Sequence, residues 1–224
     1  MKEEKKKYYV FEMNLKWLNI FSIILLLFFF LIAIAFDVKI NFTGSSWIIT
    51  LILFIPYLIL HELLHGFSYV LHGAKLKNIT FGAHLEKGIL CCLCKQNVSK
   101  KNILISLVYP FFWIGIVTYI IGIILNNSVL TLLSIINLSG CSGDLMMFFS
   151  FLKLKDFEYS EYDNPTSFGL YSENDLSQER LFGLNYIGTK EELEKNDFKK
   201  ITISKTSILF LFLFLFIILF YLVK

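Results

Sequence analysis

His61-Glu62-Leu63-Leu64-His65 is the stretch of this chain best equipped for chemistry. On a helix, residues i and i+4 stack on one face, so both imidazoles can grip a single zinc ion. Glu62 is offset from that pair, suited to take a proton from water at the metal rather than to bind it. The motif is set into Leu58–Leu71, an otherwise apolar run. A carboxylate between two histidines in such a run needs strong partners. The alternative reading of the same residues is an internally hydrogen-bonded polar patch that glues helices together.

A catalytic zinc site takes three protein ligands and leaves one position open. No histidine follows His84, and His72 lies too far along a straight helix from His65 to reach the same ion. The longer H-E-x-x-H-x-x-G-x-x-H pattern is absent, because Ser68 and Leu71 stand at its glycine and third-histidine positions. A second constellation is Asn137-Leu-Ser-Gly140-Cys-Ser-Gly143-Asp144. Asp144 is the one carboxylate within the later apolar stretches, and Asn137, Gly140 and Asp144 fall on one face of a continuous helix. Gly140 and Gly143 are small enough for another helix to approach closely. His61 lies ten residues before Leu71 and Asp144 eight before Leu152. At helical rise these are depths of roughly 15 and 12 Å below the same surface. Depth and elimination both make Asp144 the third ligand, with the alternative that it only hydrogen-bonds a neighbouring helix. Cys91, Cys92 and Cys94 lie near His84, but a lone C-x-x-C falls short of a structural zinc site. Packed or reduced thiols are the simpler reading, and Cys141 is read as packing.

The elements that must position these residues are membrane spans. Of 224 residues 56% are hydrophobic, with 24 Phe, more apolar surface than a soluble domain can hide. The net charge of +3 gives no reason to expect nucleic acid as a partner. The expected fold is an all-α integral membrane protein, a bundle of about five transmembrane helices in the lipid bilayer. Residues 1–16 read as a cytosolic basic head, and 17–171 as the membrane-embedded core with spans at about 17–36, 47–71, 103–125 and 129–152. Residues 172–206 read as a cytosolic charged segment and 207–223 as a fifth span. Ala33-Ile34-Ala35 resembles a signal-peptidase site, but the apolar run before it is longer than a signal core, so a retained span is expected. The loop 72–102 carries Lys75, Lys77, Lys87, Lys95, Lys100 and Lys101, which places it and the N-terminus in the cytosol of a multi-pass cell-membrane protein. Its alternating segments, such as Lys77-Asn78-Ile79-Thr80-Phe81, could pair as a small β-hairpin. Pro56 and Pro110 interrupt the second and third spans.

HELLHG in one span, Tyr109-Pro110 at the start of the next and SGCSGDL in another resemble the zincin peptidase family of small bacterial membrane proteins. More distantly the pattern is similar to the site-2 proteases, which place H-E-x-x-H on one span and an Asp ligand on another. Their Asn-x-x-Pro and Leu-Asp-Gly elements are matched only in part, since the proline is absent and Leu145 follows Asp144. The resemblance extends over roughly Leu15–Tyr171. It implies a membrane-embedded zinc metallopeptidase acting on membrane or membrane-adjacent protein substrates near the cytosolic face. His61, His65 and Asp144 would hold Zn2+, Glu62 would be the general base, and Asn137 a contact to the oxyanion or the substrate. The competing class is a non-catalytic, zinc-stabilised scaffold or an immunity or regulatory protein, for which Glu62 has no use. A metal transporter ranks last, because the ionisable residues stop at one depth.

Overall fold

In the computed structural model, residues 6–39, 44–84, 89–162 and 166–195 are described. Strand β1 (Lys7–Met13) runs directly into helix α1 (Leu15–Ala35) through Asn14, whose side chain accepts from the backbone N–H groups of Lys16 and Trp17. That cap satisfies two of the donors that a helix start leaves without partners. Helix α2 (Ser45–Leu71) carries the histidine motif and passes through Pro56 without ending. A hairpin follows, β2 (Ile79–His84) and β3 (Ile89–Cys94), in which Phe81 pairs with Cys92 and Ile79 with Cys94. The hairpin expected from the alternating residues of the loop is therefore present.

After the short strand β4 (Val98–Ser99), the third apolar stretch is built from three pieces: α3 (Lys100–Pro110), a π-helical segment at Phe111–Val117, and α4 (Thr118–Ile124). The fourth is α5 (Ser128–Gly140) followed by α6 (Ser142–Lys153), bent by 45° at Cys141. Three helices, Leu15–Ala35, Ser46–Leu71 and Lys100–Ile124, are long and apolar enough to cross a membrane, and the bent pair makes a fourth if it is one span. Their exposed faces are rows of Leu, Ile and Phe, as lipid contact requires. The expected fifth span, 207–223, lies outside the described residues.

The expectation of an all-α protein is corrected by a five-stranded antiparallel sheet in the order β4-β5-β6-β1-β7. Its later strands are β5 (Glu158–Glu161), β6 (Ser167–Ser172) and β7 (Leu184–Thr189), with helix α7 (Lys190–Lys195) after them. The stretch read as a basic head supplies a central strand of this sheet: Phe11 is opposite Phe168 on one side and Tyr186 on the other. Aromatic and β-branched residues in Tyr8-Tyr9-Val10-Phe11 suit that role. Gly169, paired with Val10, is required beneath the Tyr8 side chain, since a Cβ there would collide with the tyrosine ring. The inner face of the sheet packs against the ends of the helices. Phe11, Phe168 and Tyr159 meet Phe151 of α6, together with Ile103 and Leu107 of α3 and Met147 of α6, in one core cluster. Full burial of Phe11, Phe151 and Phe168 stabilises this junction by about 1.5–3 kcal/mol per ring. The sheet is thus fixed rigidly to the helix ends that carry the site.

Candidate metal centre

Pro110 is where the local chemistry of the site begins. In an α-helix the residue at 110 would donate its N–H to the carbonyl of Ser106, but proline has none. The freed Ser106 carbonyl accepts instead from Nδ1 of His65 at 2.9 Å. That bond places the proton of His65 on Nδ1 and leaves the Nε2 lone pair facing inward. The π-helical segment that follows the proline is a common partner of such functional interruptions.

His61, one turn earlier on α2, is oriented from α5. Its Nδ1 donates to Oδ1 of Asn137 at 2.9 Å, while the amide nitrogen of Asn137 is turned to Cys141 Sγ at 3.7 Å. Both imidazoles therefore present Nε2 to the same point, 3.1 Å apart. Asp144 Oδ2 completes a triangle, 3.4 Å from Nε2 of His61 and 3.5 Å from Nε2 of His65. Both histidines are buried. A tetrahedral ion with bonds of about 2.0–2.1 Å sets its ligand atoms roughly 3.3–3.4 Å apart. The three atoms match that edge length, and they are two lone pairs and a carboxylate oxygen, an electron-rich trio that calls for a cation. These are the three residues that could hold a metal ion among the described residues.

Asp144 reaches this point differently from the expected straight helix. The chain breaks after Gly140, and Asp144 stands in the first turn of α6, where the helix dipole favours a negative charge. Gly140 does not mark a close helix approach, because nothing lies within 4 Å of where its Cβ would be. It lines open space beside the cluster. Gly143 faces Leu18 of α1 and Met13 of β1 in ordinary contact. Asn137, read as an oxyanion or substrate contact, is buried with its carboxamide oxygen accepting from His61.

Glu62 lines a cavity of about 580 Å³ together with His61, His65 and Asp144. The backbone N–H of Cys92 on β3 faces its carboxylate. Gly66, the residue after the motif, is where the hairpin meets α2: a Cβ there would stand 2.9 Å from the Phe81 ring and 3.3 Å from Cys92 Sγ. Cys91 and Cys92 are free thiols on the cavity wall, and burial pushes Cys92 up to about 12, so it is a poor nucleophile. Among the described residues Cys91, Cys92 and Cys94 form no metal-binding group. The far wall of the cavity contains residues that the motifs did not point to: Met13, Leu15 and Leu18 from the β1–α1 junction, and Tyr159, Glu161 and Phe168 from the sheet. Only the alternation of Glu158-Tyr159-Ser160-Glu161 offered a signal, since it puts Tyr159 and Glu161 on one strand face.

No curated protein and no solved structure matches the chain. Residues 54–157, which include the two histidines, Glu62, Pro110, Asn137 and Asp144, match the family described as "Putative zincin peptidase".

Proposed function

We propose that this protein is a membrane-embedded zinc metallopeptidase that cuts membrane or membrane-adjacent proteins near the cytosolic face. The observation that carries the reading is the triangle of His61 Nε2, His65 Nε2 and Asp144 Oδ2, set beside Glu62 in an open cavity. A zinc ion held by these three would supply Lewis acidity toward a peptide carbonyl and toward water. Ser106 and Asn137 hold the two imidazoles in the tautomer that binds through Nε2. Glu62 accepts the proton of the attacking water and delivers it to the leaving amine nitrogen. The hairpin and the sheet wall off the cavity, so the substrate chain lies against protein rather than lipid.

The sheet also supports the topology of this reading. Strand β1 precedes the first candidate span, β4 precedes the third, and β5, β6 and β7 follow the fourth, yet all five join one sheet. This favours a chain that returns to the same side after each pair of helices, with α5 and α6 counted together as one crossing and four crossings among the described residues. Lys75, Lys77, Lys95, Lys100, Lys101, Lys153 and Lys155 all belong to the sheet end, which supports a cytosolic location for that end.

Glu62→Gln is the decisive test. It should retain zinc and membrane insertion while cleavage of a reconstituted membrane substrate falls by about 10²–10⁴-fold. A variant that cuts at the wild-type rate would instead favour a structural zinc site.

A further inference from the structure

Glu161 lines the same cavity from the sheet side, and the reaction proposed above makes no use of it. Its neighbour Glu158 is paired with Lys6 at 2.7 Å. Among the described residues Glu161 meets only neutral donors, the backbone N–H of Cys94 at 3.3 Å and the hydroxyl of Tyr159. Among the described residues no Lys, Arg or His lies within ion-pair distance of it. Burial without a counter-ion pushes its carboxyl up to about 7. A carboxylate kept there is costly to the fold unless a cation arrives from outside. The strand that separates it from Glu62 is β3: the thiols of Cys91 and Cys92 lie close enough to feel both acids. Glu161 therefore stands beside the reacting groups, on the extramembrane side of them.

We propose that Glu161 is a recognition subsite for a basic side chain of the substrate, a lysine or arginine flanking its membrane span. The geometry favours such a residue over other cations. The cavity lies where the helices meet the sheet, and membrane proteins carry Lys and Arg at the cytosolic ends of their spans. A substrate span entering at the level of His61 and Asp144 would bring its flanking basic residue to the height of β5. This subsite rests on the peptidase reading. It also explains why an acid stands among the aromatic rings of Tyr159, Tyr162 and Phe168 on that wall.

The test uses the full-length, zinc-loaded protein in nanodiscs and synthetic single-span peptides with acetylated N-termini. The peptides differ only at the flanking position, which carries lysine, arginine, norleucine or glutamate. Binding is measured to the Glu62→Gln protein and cleavage by the wild type. Lysine and arginine peptides should bind roughly ten- to a hundredfold tighter than the norleucine peptide, the worth of one charged hydrogen bond. Adding Glu161→Gln should bring that ratio close to one, and Glu161→Lys should reverse it in favour of glutamate. If Glu161→Gln weakens all peptides alike and keeps the ratio, Glu161 only ties the hairpin to the sheet, and the proposal is overturned. A norleucine peptide with a free N-terminus that matches the lysine peptide would move the cation to the α-amine and overturn the side-chain assignment. Discrimination in binding with no cleavage of any peptide would refute the peptidase reading and leave the subsite standing.

Discussion

Asn137 and the Ser106 carbonyl have the same job at the residue scale: each accepts the Nδ1 proton of one histidine, so that both Nε2 atoms are free. Asn137→Leu removes one acceptor at similar volume and frees the His61 ring. Zinc affinity, measured by competition with a chelator, should fall by about 10–100-fold, the usual cost of losing such a partner. Asn137→Asp keeps an acceptor oxygen and should recover much of that loss. Unchanged affinity in Asn137→Leu would mean that His61 is oriented by something else, such as Cys141 Sγ at 3.9 Å. Glu161 makes a different prediction, about pH. Its carboxyl lies at about 7 in the folded chain against the ordinary value of 4.5. An acid raised in this way favours the folded state below about 4.5, and that contribution is lost as pH rises to about 7. Glu161→Gln should therefore gain on the wild type across that window and hold its advantage above it. The gain is on the order of 2 kcal/mol, allowing for its partial exposure, and is read from Tm in detergent at a series of pH values.

Elements decide how far these residues could be read in advance. The two histidines, Glu62 and Asp144 are legible because i, i+4 spacing and an acid within an apolar run are local signals. The partner of Asn137 was not legible, since it depends on how α5 is rotated against α2. The break at Cys141 had a cue in the flanking Ser139-Gly140 and Ser142-Gly143, but glycines that also allow close helix approach do not by themselves announce a 45° bend. Pro110 was visible as an interruption, but its consequence, a freed carbonyl one turn back, requires knowing that α3 faces His65. Pro110→Ala restores an N–H that competes for the Ser106 carbonyl and favours an ordinary α-turn. Zinc binding should weaken by about tenfold even though the helix gains a hydrogen bond. Gly66 tests the other contact of α2. Gly66→Val would drive the Phe81 ring and Cys92 Sγ off the helix, lifting β3 from Glu62. Cleavage should fall while zinc is kept, because the metal cluster lies on α2 and α6 and not on the hairpin.

The whole molecule has two unlike ends, and its least legible feature joins them into one topology. Turns 36–39 and 125–128 meet at one end, where Lys39 N–H donates to Asn126 Oδ1 at 3.1 Å. The hairpin and the five-stranded sheet occupy the other. Hydropathy marks the spans, but the sheet pairs Lys7 with Ser172 and Val98 with Tyr159, and no local pattern encodes partners so far apart in the chain. Sequence alone thus took β1 for a basic head. Its pairing carries a physical demand: β1 and β6 can share hydrogen bonds only if an even number of crossings lies between them. With the four crossings proposed for the described residues, the lysines of the sheet end predict the orientation. A reporter inserted after Lys95 should read cytosolic, and one inserted after Asn127 should read external. Cysteines replacing Tyr8 and Tyr171, which lie opposite each other in the sheet, should cross-link in intact membranes. Cross-linking with both reporters on one side would require α3, the π-helical segment and α4 to re-enter rather than cross. Reporters on opposite sides in the reverse sense would keep the fold and place the site near the outer face. Peptide cleavage would then be expected at the external end of a substrate span, where basic residues are scarce, and the assignment of Glu161 would fall with the orientation.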